Sequence, residues 1–139
     1  MKLKLHQLFL LFLDREVFEK KFFDVEFLKY DYIGAPWPQF EMRNVGNGGF
    51  SLRSKRLIES AALLASKRTS GEAEDLFICR SIGEELENKF SIRFANSSVA
   101  SQFSFEAPLS RRETFGFHGF LNLPIIYQNQ PNYLIDNLG

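Results

Sequence analysis

The run LFLLFL at residues 8–13, followed at once by Asp14, is the stretch that decides the fold class. An apolar run of this length is typical of a strand that is buried on both faces, because helices cover both sides of its sheet. A membrane-spanning helix needs roughly 20 apolar residues, and here the charged residues Arg15 and Glu16 end the apolar run. The pattern therefore predicts a central strand of a helix-covered sheet and no transmembrane segment.

Strand and helix patterns alternate along the rest of the chain. The predicted strands are residues 8–13, 32–34 and 90–94, and the predicted helices lie at residues 15–30, after Ser54, at about 73–86, and from Ser97 or Ser98. Ser54 is a candidate N-cap, and TSGE at residues 69–72 has the spacing of a capping box. Such alternation is typical of a layered α/β fold.

Length and composition indicate one globular domain of 139 residues, with a core at about 8–122 and a loosely docked tail at 123–139. The 17 basic and 17 acidic residues leave no net charge, so no positive field attracts nucleic acid. Cys79 is the only cysteine, which excludes an internal disulfide and favours a reducing, cytoplasmic compartment. Peripheral attachment to a membrane is the alternative location.

Four segments carry a family resemblance: YDYIGAPW at 30–37, VGNGGFSLR at 45–53, EDLF at 74–77 and FGFHGF at 115–120. In this order and spacing they resemble an uncharacterised bacterial and viral family of glycosyltransferase-like domains with the same signature. The resemblance covers about residues 8–122 and implies a GT-A-like fold with a mixed sheet. Because Met1 lies only about a dozen residues before Asp14, we expect the acceptor-side, C-terminal portion of that fold without most of its nucleotide-binding half.

The resemblance implies a divalent metal ion, Mn²⁺ or Mg²⁺, held by Asp14 and His118 on the diphosphate of a sugar nucleotide. A carboxylate and an imidazole suit such ions. The sequence departs from the family pattern at Phe12, where a polar residue is usual. The structural alternatives are a turn-capping role for Asp14 and a core position for His118.

The resemblance further assigns acid–base chemistry to Glu74 and Asp75. An inverting transfer needs a carboxylate that takes the proton from the acceptor hydroxyl. We favour Asp75 as this base, with Glu74 as the alternative base or as a hydrogen-bonding partner of the acceptor. The structural alternative is that the helix dipole favours acids at a helix start without any function.

Further candidate residues for binding the donor or the acceptor are Trp37, Gly46, Asn47, Gly48, Gly49, Arg53 and Glu106. The glycines would let backbone amides approach the donor or form a tight turn, and Trp37 would stack on a sugar ring or lie in the core. Arg53 would neutralise the diphosphate or lie on the surface, and Glu106 would order the site.

The predicted function is transfer of a sugar from a nucleotide-sugar donor to a glycan acceptor, as in the synthesis of cell-envelope polysaccharide. The alternative is a non-catalytic fragment, a carbohydrate-binding or partner-binding α/β module that lacks the nucleotide half, or that receives it from a partner chain. The enzyme hypothesis requires Asp14, Asp75 and His118 to converge on one cleft.

Overall fold

In the computed structural model the described residues are 9–13, 22–106 and 114–118. Only the backbone is described at residues 9–13, Glu106 and His118. Within these ranges the chain forms a mixed α/β fold with small sheets, which confirms the predicted α/β class. The GT-A-like arrangement stays a prediction. The described part contains no helix that is long and apolar enough to cross a membrane.

The main described sheet has three antiparallel strands in the order β1-β3-β2, where β1 is Phe9–Leu13, β2 is Tyr32–Pro36 and β3 is Val45–Ser54. The predicted strands at residues 8–13 and 32–34 are therefore confirmed. In the described part of the sheet β3, and not the first strand, lies between the other two strands. Polar residues are tolerated in that central strand because they bond to one another: Arg53 Nε donates to Ser51 Oγ over 3.1 Å.

Helix α1, Lys55–Leu63, begins where the sequence predicts it. The Oγ of Ser54 accepts a hydrogen bond from the backbone N–H of Leu57 over 3.0 Å, which confirms Ser54 as the N-cap. After Thr69, Glu72 Oε2 accepts from the Thr69 N–H over 3.3 Å, as a capping box requires. The helical segment itself begins later, at Glu74.

The helix predicted at about 73–86 is three successive segments. They are α2 at Glu74–Leu76, a π-helix at Phe77–Ser81 and α3 at Gly83–Phe90. The wider π geometry is shown by the N–H of Ile82, which donates to the carbonyl of Phe77 over 3.0 Å. π-helical turns are rare and occur frequently at functional sites.

The strand predicted at residues 90–94 is wrong. Phe90 ends α3, Ser91 takes a left-handed φ of 53°, and the following segment touches β2 through a single bridge between Tyr32 and Phe94. The predicted last helix is confirmed as α4, Ser97–Phe103, with Asn96 as its N-cap. A short parallel pair follows, β4 at Ser104–Glu106 with β5 at Gly116–His118.

Of the helix predicted at residues 15–30, the described residues are 22–30, and they form a 3₁₀ helix at Val25–Lys29. The rest of that range that precedes residue 22, and the tail at 123–139, lie outside the described residues.

Two apolar clusters lie around β2. Tyr32 belongs to one cluster and its neighbour Ile33 to the other, because successive strand residues point to opposite faces. The first cluster contains Trp37, Leu57, Phe77, Ile78, Cys79 and Leu86. The second contains Phe27, Val45, Phe50, Leu52, Phe103 and Phe115. The sheet thus separates the layer of α1, the π-helix and α3 from a phenylalanine-rich layer on α4.

A buried carboxylate, Asp31, joins three segments that are distant in sequence. It is 4% exposed and accepts hydrogen bonds from Ser54 Oγ (2.6 Å), from the backbone N–H of Arg93 (2.9 Å) and from the Arg56 guanidinium. Burial acts to raise the pKa of Asp31, but the hydrogen bonds from Arg56, Ser54 and Arg93 outweigh it and hold the pKa below its ordinary value. Asp31 therefore stabilises the fold in its charged form.

We expect Asp31→Asn to destabilise the chain at pH 7 by about 2 kcal/mol, because the buried amide NH₂ cannot accept the hydrogen bonds that Oδ2 accepts from the Arg93 N–H and from Arg56. The folded-state pKa of Asp31 is depressed, so its contribution is present above the unfolded carboxyl pKa of about 4 and is lost as the pH falls through the folded pKa. The difference between wild type and variant should accordingly shrink below about pH 4. Urea unfolding at pH 7, 4 and 3 checks this, with Glu59→Gln on α1 as control. A difference that stays constant with pH would contradict it.

Candidate functional site

The candidate site begins with a large irregularity in β3. Gly34 of β2 pairs with Ser51, whereas the next residue, Ala35, pairs with Asn47. The register therefore passes over residues 48–50 of β3, which bulge out from β2. Such bulges redirect backbone groups and occur next to active sites. The glycine segment is therefore part of an extended strand, and the tight turn considered for it is wrong.

The bulge joins its backbone to the acidic pair. The N–H of Gly48 donates to Asp75 Oδ2 over 3.0 Å, and the other carboxylate oxygen, Oδ1, accepts from the N–H of Leu76 over 2.8 Å. A Cβ on Gly48 would stand 2.9 Å from Arg53 Nη2 and 3.1 Å from the Cβ of Asp75. A glycine is needed at this position because the backbone of β3 and the acidic pair approach so closely.

The backbone amides of the bulge are directed at the protein's own side chains. The N–H of Gly49 donates to Asn47 Oδ1 over 3.0 Å, and that of Gly48 donates to Asp75. Asn47 is itself buried. This corrects the expectation that these amides face donor phosphates: in the described structure the bulge positions Asp75.

Arg53 lies beneath the acidic pair. Its guanidinium forms an ion pair with Glu74, and the exposed fraction of the side chain is 5% for Arg53 and 43% for Glu74. The Arg53 Cζ also lies 5.4 Å from the centroid of the Tyr32 ring. The surface alternative for Arg53 is therefore wrong: its charge is buried and neutralised by Glu74.

Two buried groups next to the site, Tyr32 and Cys79, remain protonated at neutral pH. Burial raises the pKa of the Tyr32 phenol and of the Cys79 thiol well above their ordinary values. The Tyr32 hydroxyl donates to the carbonyl of Gly46 over 2.6 Å and so supports the bulge from below. The carboxylates of Glu74 and Asp75, both half-buried, are the groups here that are suited to accept a proton.

Trp37 does not present a face for a sugar ring. It is 5% exposed, its indole covers Gly46, and its ring meets that of Phe40 edge to face at 5.6 Å. The backbone N–H of Trp37 donates to the carbonyl of Asn44 over 2.6 Å. The prediction of a stacking surface at Trp37 is wrong, and the core alternative is the one observed, because the chain around it folds into the first apolar cluster.

The remaining predicted residues are placed only through the backbone. Asp14 lies outside the described residues, but the residue before it, Leu13, pairs with Phe50 at the end of the bulge. The Phe50 ring lies directly against Gly116, the first residue of β5. Glu106 and His118 are register partners on β4 and β5. The end of β1, the bulge and β5 thus meet at Phe50.

In the described ranges no group of three or more His, Cys, Asp or Glu side chains is gathered so that it could hold a metal ion. The two predicted ligands do not enter this finding, because Asp14 and the side chain of His118 are outside it. The metal site stays a prediction.

Sequence reasoning missed Ser51, Tyr32 and the π-helix. Ser51 Oγ donates to the carbonyl of Gly48 over 3.1 Å and accepts from Arg53. The contact between Ser51 and Arg53 was predictable, since the two residues are two positions apart on a strand and so share a face. The Tyr32 contact depends on the bulge, and the π-helix has no mark in the sequence.

Fold and site together define a mixed α/β domain in which the acidic pair of α2 contacts the bulged strand β3. A family model described as "Protein of unknown function (DUF5672)" matches residues 3–118. The chain belongs to this family, since the match spans most of it. No curated protein and no solved structure gives a significant match.

We expect Glu74→Gln to lower the free energy of unfolding by about 2 kcal/mol, because the buried Arg53 would lose its counter-charge. In the Glu74→Gln background, Arg53→Met should recover part of that loss, since the buried charge is then gone. Urea unfolding of the single and double variants measures both effects. Glu59→Gln, whose partner Lys55 is exposed, should have little effect. An equally small effect of Glu74→Gln would mean that the Arg53–Glu74 pair does not stabilise the fold.

Proposed function

We propose that this chain is a glycosyl-transfer domain of GT-A type, or its acceptor-side portion, in which Asp75 takes the proton from an acceptor hydroxyl. The reaction is transfer of a sugar from a nucleotide-sugar donor to a glycan in the cytoplasm. The observation that carries the proposal is the bond from the Gly48 N–H to Asp75, which brings two of the four signature segments together at one place.

The geometry favours Asp75 over Glu74 as the base. Glu74 is committed to the ion pair with Arg53, which engages its carboxylate. Asp75 is held by two backbone N–H groups, one on each oxygen, and neither carries a net charge. These bonds fix the orientation of the carboxylate, while its half-buried position leaves it within reach of a substrate hydroxyl.

The proposal assigns the donor diphosphate to the region near Phe50, where the end of β1 and the start of β5 meet the bulge. Asp14 and His118 would hold Mn²⁺ or Mg²⁺ there, since a carboxylate and an imidazole are suitable ligands. When bound, the metal ion would neutralise charge on the leaving diphosphate. Removal of the acceptor's proton falls to Asp75, whose carboxylate the Gly48 N–H orients.

Calorimetric titration of the full chain with UDP and GDP, with and without Mn²⁺, tests the proposal. We expect binding that requires the metal and is lost in Asp14→Ala and in His118→Ala. His6→Ala, which changes the other histidine, is the matched control and should bind like wild type. Absence of nucleotide binding by the folded chain would contradict the donor site and favour a binding module without transferase activity.

A further inference from the structure

A cavity of about 300 Å³ lies beside the candidate site. It is lined by Met42, Arg43, Asn44, Val45, Cys79, Glu87, Phe94, Ala95 and Asn96, and we call it the Phe94 pocket. Cys79 lies between this pocket and the bulge, because its Cβ is 2.9 Å from the place where a Cβ of Gly46 would stand. The pocket is thus separated from the bulged strand by Cys79, and neither residue of the acidic pair lines it. Its volume is at the lower end for ligand sites, which suits one small ring.

The pocket combines an aromatic ring with amides and a neutralised ion pair. Arg43 Nη2 lies 2.6 Å from Glu87 Oε2, so the charges of the rim cancel and neither an anion nor a cation is favoured. Asn44 and Asn96 supply amide groups, whose Oδ1 atoms accept from Ser97 Oγ (2.8 Å) and from the Val99 N–H (3.0 Å). Their NH₂ groups are therefore the donors that they offer to a ligand. Phe94 is half-buried, and its ring centroid lies 5.9 Å from that of Tyr32. A ring with one apolar face and several hydroxyl groups matches this lining, because the aromatic ring takes the apolar face and the amides bond the hydroxyls.

One wall of the pocket has an energetically unfavourable backbone conformation. Arg43 has a φ of 49°, in the left-handed region that non-glycine residues rarely adopt. Arg80 holds it there, because its Nη1 donates to the carbonyls of Met42 (2.8 Å) and Arg43 (3.1 Å). Backbone strain of this kind persists where the surroundings enforce it and is concentrated at ligand sites.

We propose that the Phe94 pocket is the subsite for one uncharged sugar residue of the acceptor glycan. Its assignment to the acceptor rests on the proposed function, whereas binding of the sugar does not require it.

Amide NMR spectra of the ¹⁵N-labelled chain, titrated without nucleotide or metal, test the proposal. The probes are the methyl glycosides of glucose, galactose, mannose and N-acetylglucosamine. We expect at least one probe to shift the amides of residues 42–45 and 94–96. Phe94→Leu, which keeps an apolar side chain, should weaken that binding up to about tenfold. Asn96→Ser, which keeps the N-cap of α4, should weaken it as well. Asn88→Ser, on the exposed surface of α3, is the control and should leave it unchanged.

Glucuronate and inorganic phosphate serve as charged comparison probes. Tighter binding of either than of the methyl glycosides would overturn the proposal in favour of an anion site at Arg43. The proposal would also be overturned if the shifts lay elsewhere on the protein or if no methyl glycoside caused shifts. It would be overturned as well if Phe94→Leu and Asn96→Ser bound the sugar as tightly as wild type. Sugar binding without nucleotide binding would uphold the pocket and refute the donor site, so the two failures are distinguishable.

Discussion

Asp75→Asn should lower the rate of sugar transfer by about 10²–10⁴-fold, because general-base catalysis contributes that much and an amide accepts no proton. The variant should still fold. The side-chain oxygen of an asparagine can accept the bond from the Gly48 N–H, which is 3.0 Å from Asp75 Oδ2, and no buried charge loses its partner. The asparagine NH₂ cannot accept the bond that the Leu76 N–H donates to Oδ1, so a loss of about 1 kcal/mol in stability is expected. The expected loss is therefore in the rate constant of the chemical step more than in stability.

The measurement is transfer by the full chain, with the donor and acceptor that the titrations identify, for wild type, Asp75→Asn and Glu74→Gln. Urea unfolding of each variant separates loss of fold from loss of chemistry. Glu74→Gln should lose stability first, since it removes the counter-charge of Arg53. If folded Glu74→Gln lost more activity than Asp75→Asn, the roles of the two carboxylates would be the reverse of those proposed.

Gly34→Ala should destabilise the chain by about 3 kcal/mol, toward the upper end of the cost of overpacking. A Cβ on Gly34 would overlap the backbone oxygen of Asn47. That oxygen belongs to the bulge and cannot turn away as a flexible side chain would. The substitution therefore forces β2 and β3 apart at the place where the register changes, and it should also disturb the contact between Gly48 and Asp75.

Gly71→Ala is the matched control for this prediction. Gly71 has a φ of 79°, and a Cβ there meets nothing within 4 Å, so its cost comes from backbone conformation alone, about 1–2 kcal/mol. Urea unfolding compares the two variants, and amide NMR shows whether the resonances of residues 46–49 move. A cost for Gly34→Ala no larger than that for Gly71→Ala would mean that β2 shifts freely and that the bulge is not fixed by this contact.

Local sequence patterns predicted the elements that have a long apolar run or a capping residue. The apolar run before Asp14 predicts β1, and Ser54 predicts the start of α1, because each depends on residues within a few positions. The order of the strands was not predictable in this way. β3 is polar and rich in glycine, yet it lies between β1 and β2 because Ser51, Arg53 and Glu74 satisfy one another.

The residues of the site could also be predicted from local sequence, whereas their contacts could not. Glu74 and Asp75 were predicted as a pair, but their different contacts follow from Arg53 and Gly48, more than 20 positions earlier in the chain. Trp37 between two prolines predicts an exposed turn as readily as a buried one, and only the packing of its indole over Gly46 decides between them. The Phe94 pocket collects residues from three separate parts of the chain, so no local motif marks it.

The number of residues in the π-helix at Phe77–Ser81 sets the rotation of the acidic pair relative to α3. An α-helix advances about 100° per residue, so deletion of one residue there would turn Glu74 and Asp75 by about that angle relative to α3 while the helical hydrogen bonding closed up again. The acidic pair would then leave Arg53 and Gly48, although every residue of the pair remained. Among relatives of this chain, the count of residues between the acidic pair and Leu86 is therefore as informative about the site as the identity of the acids.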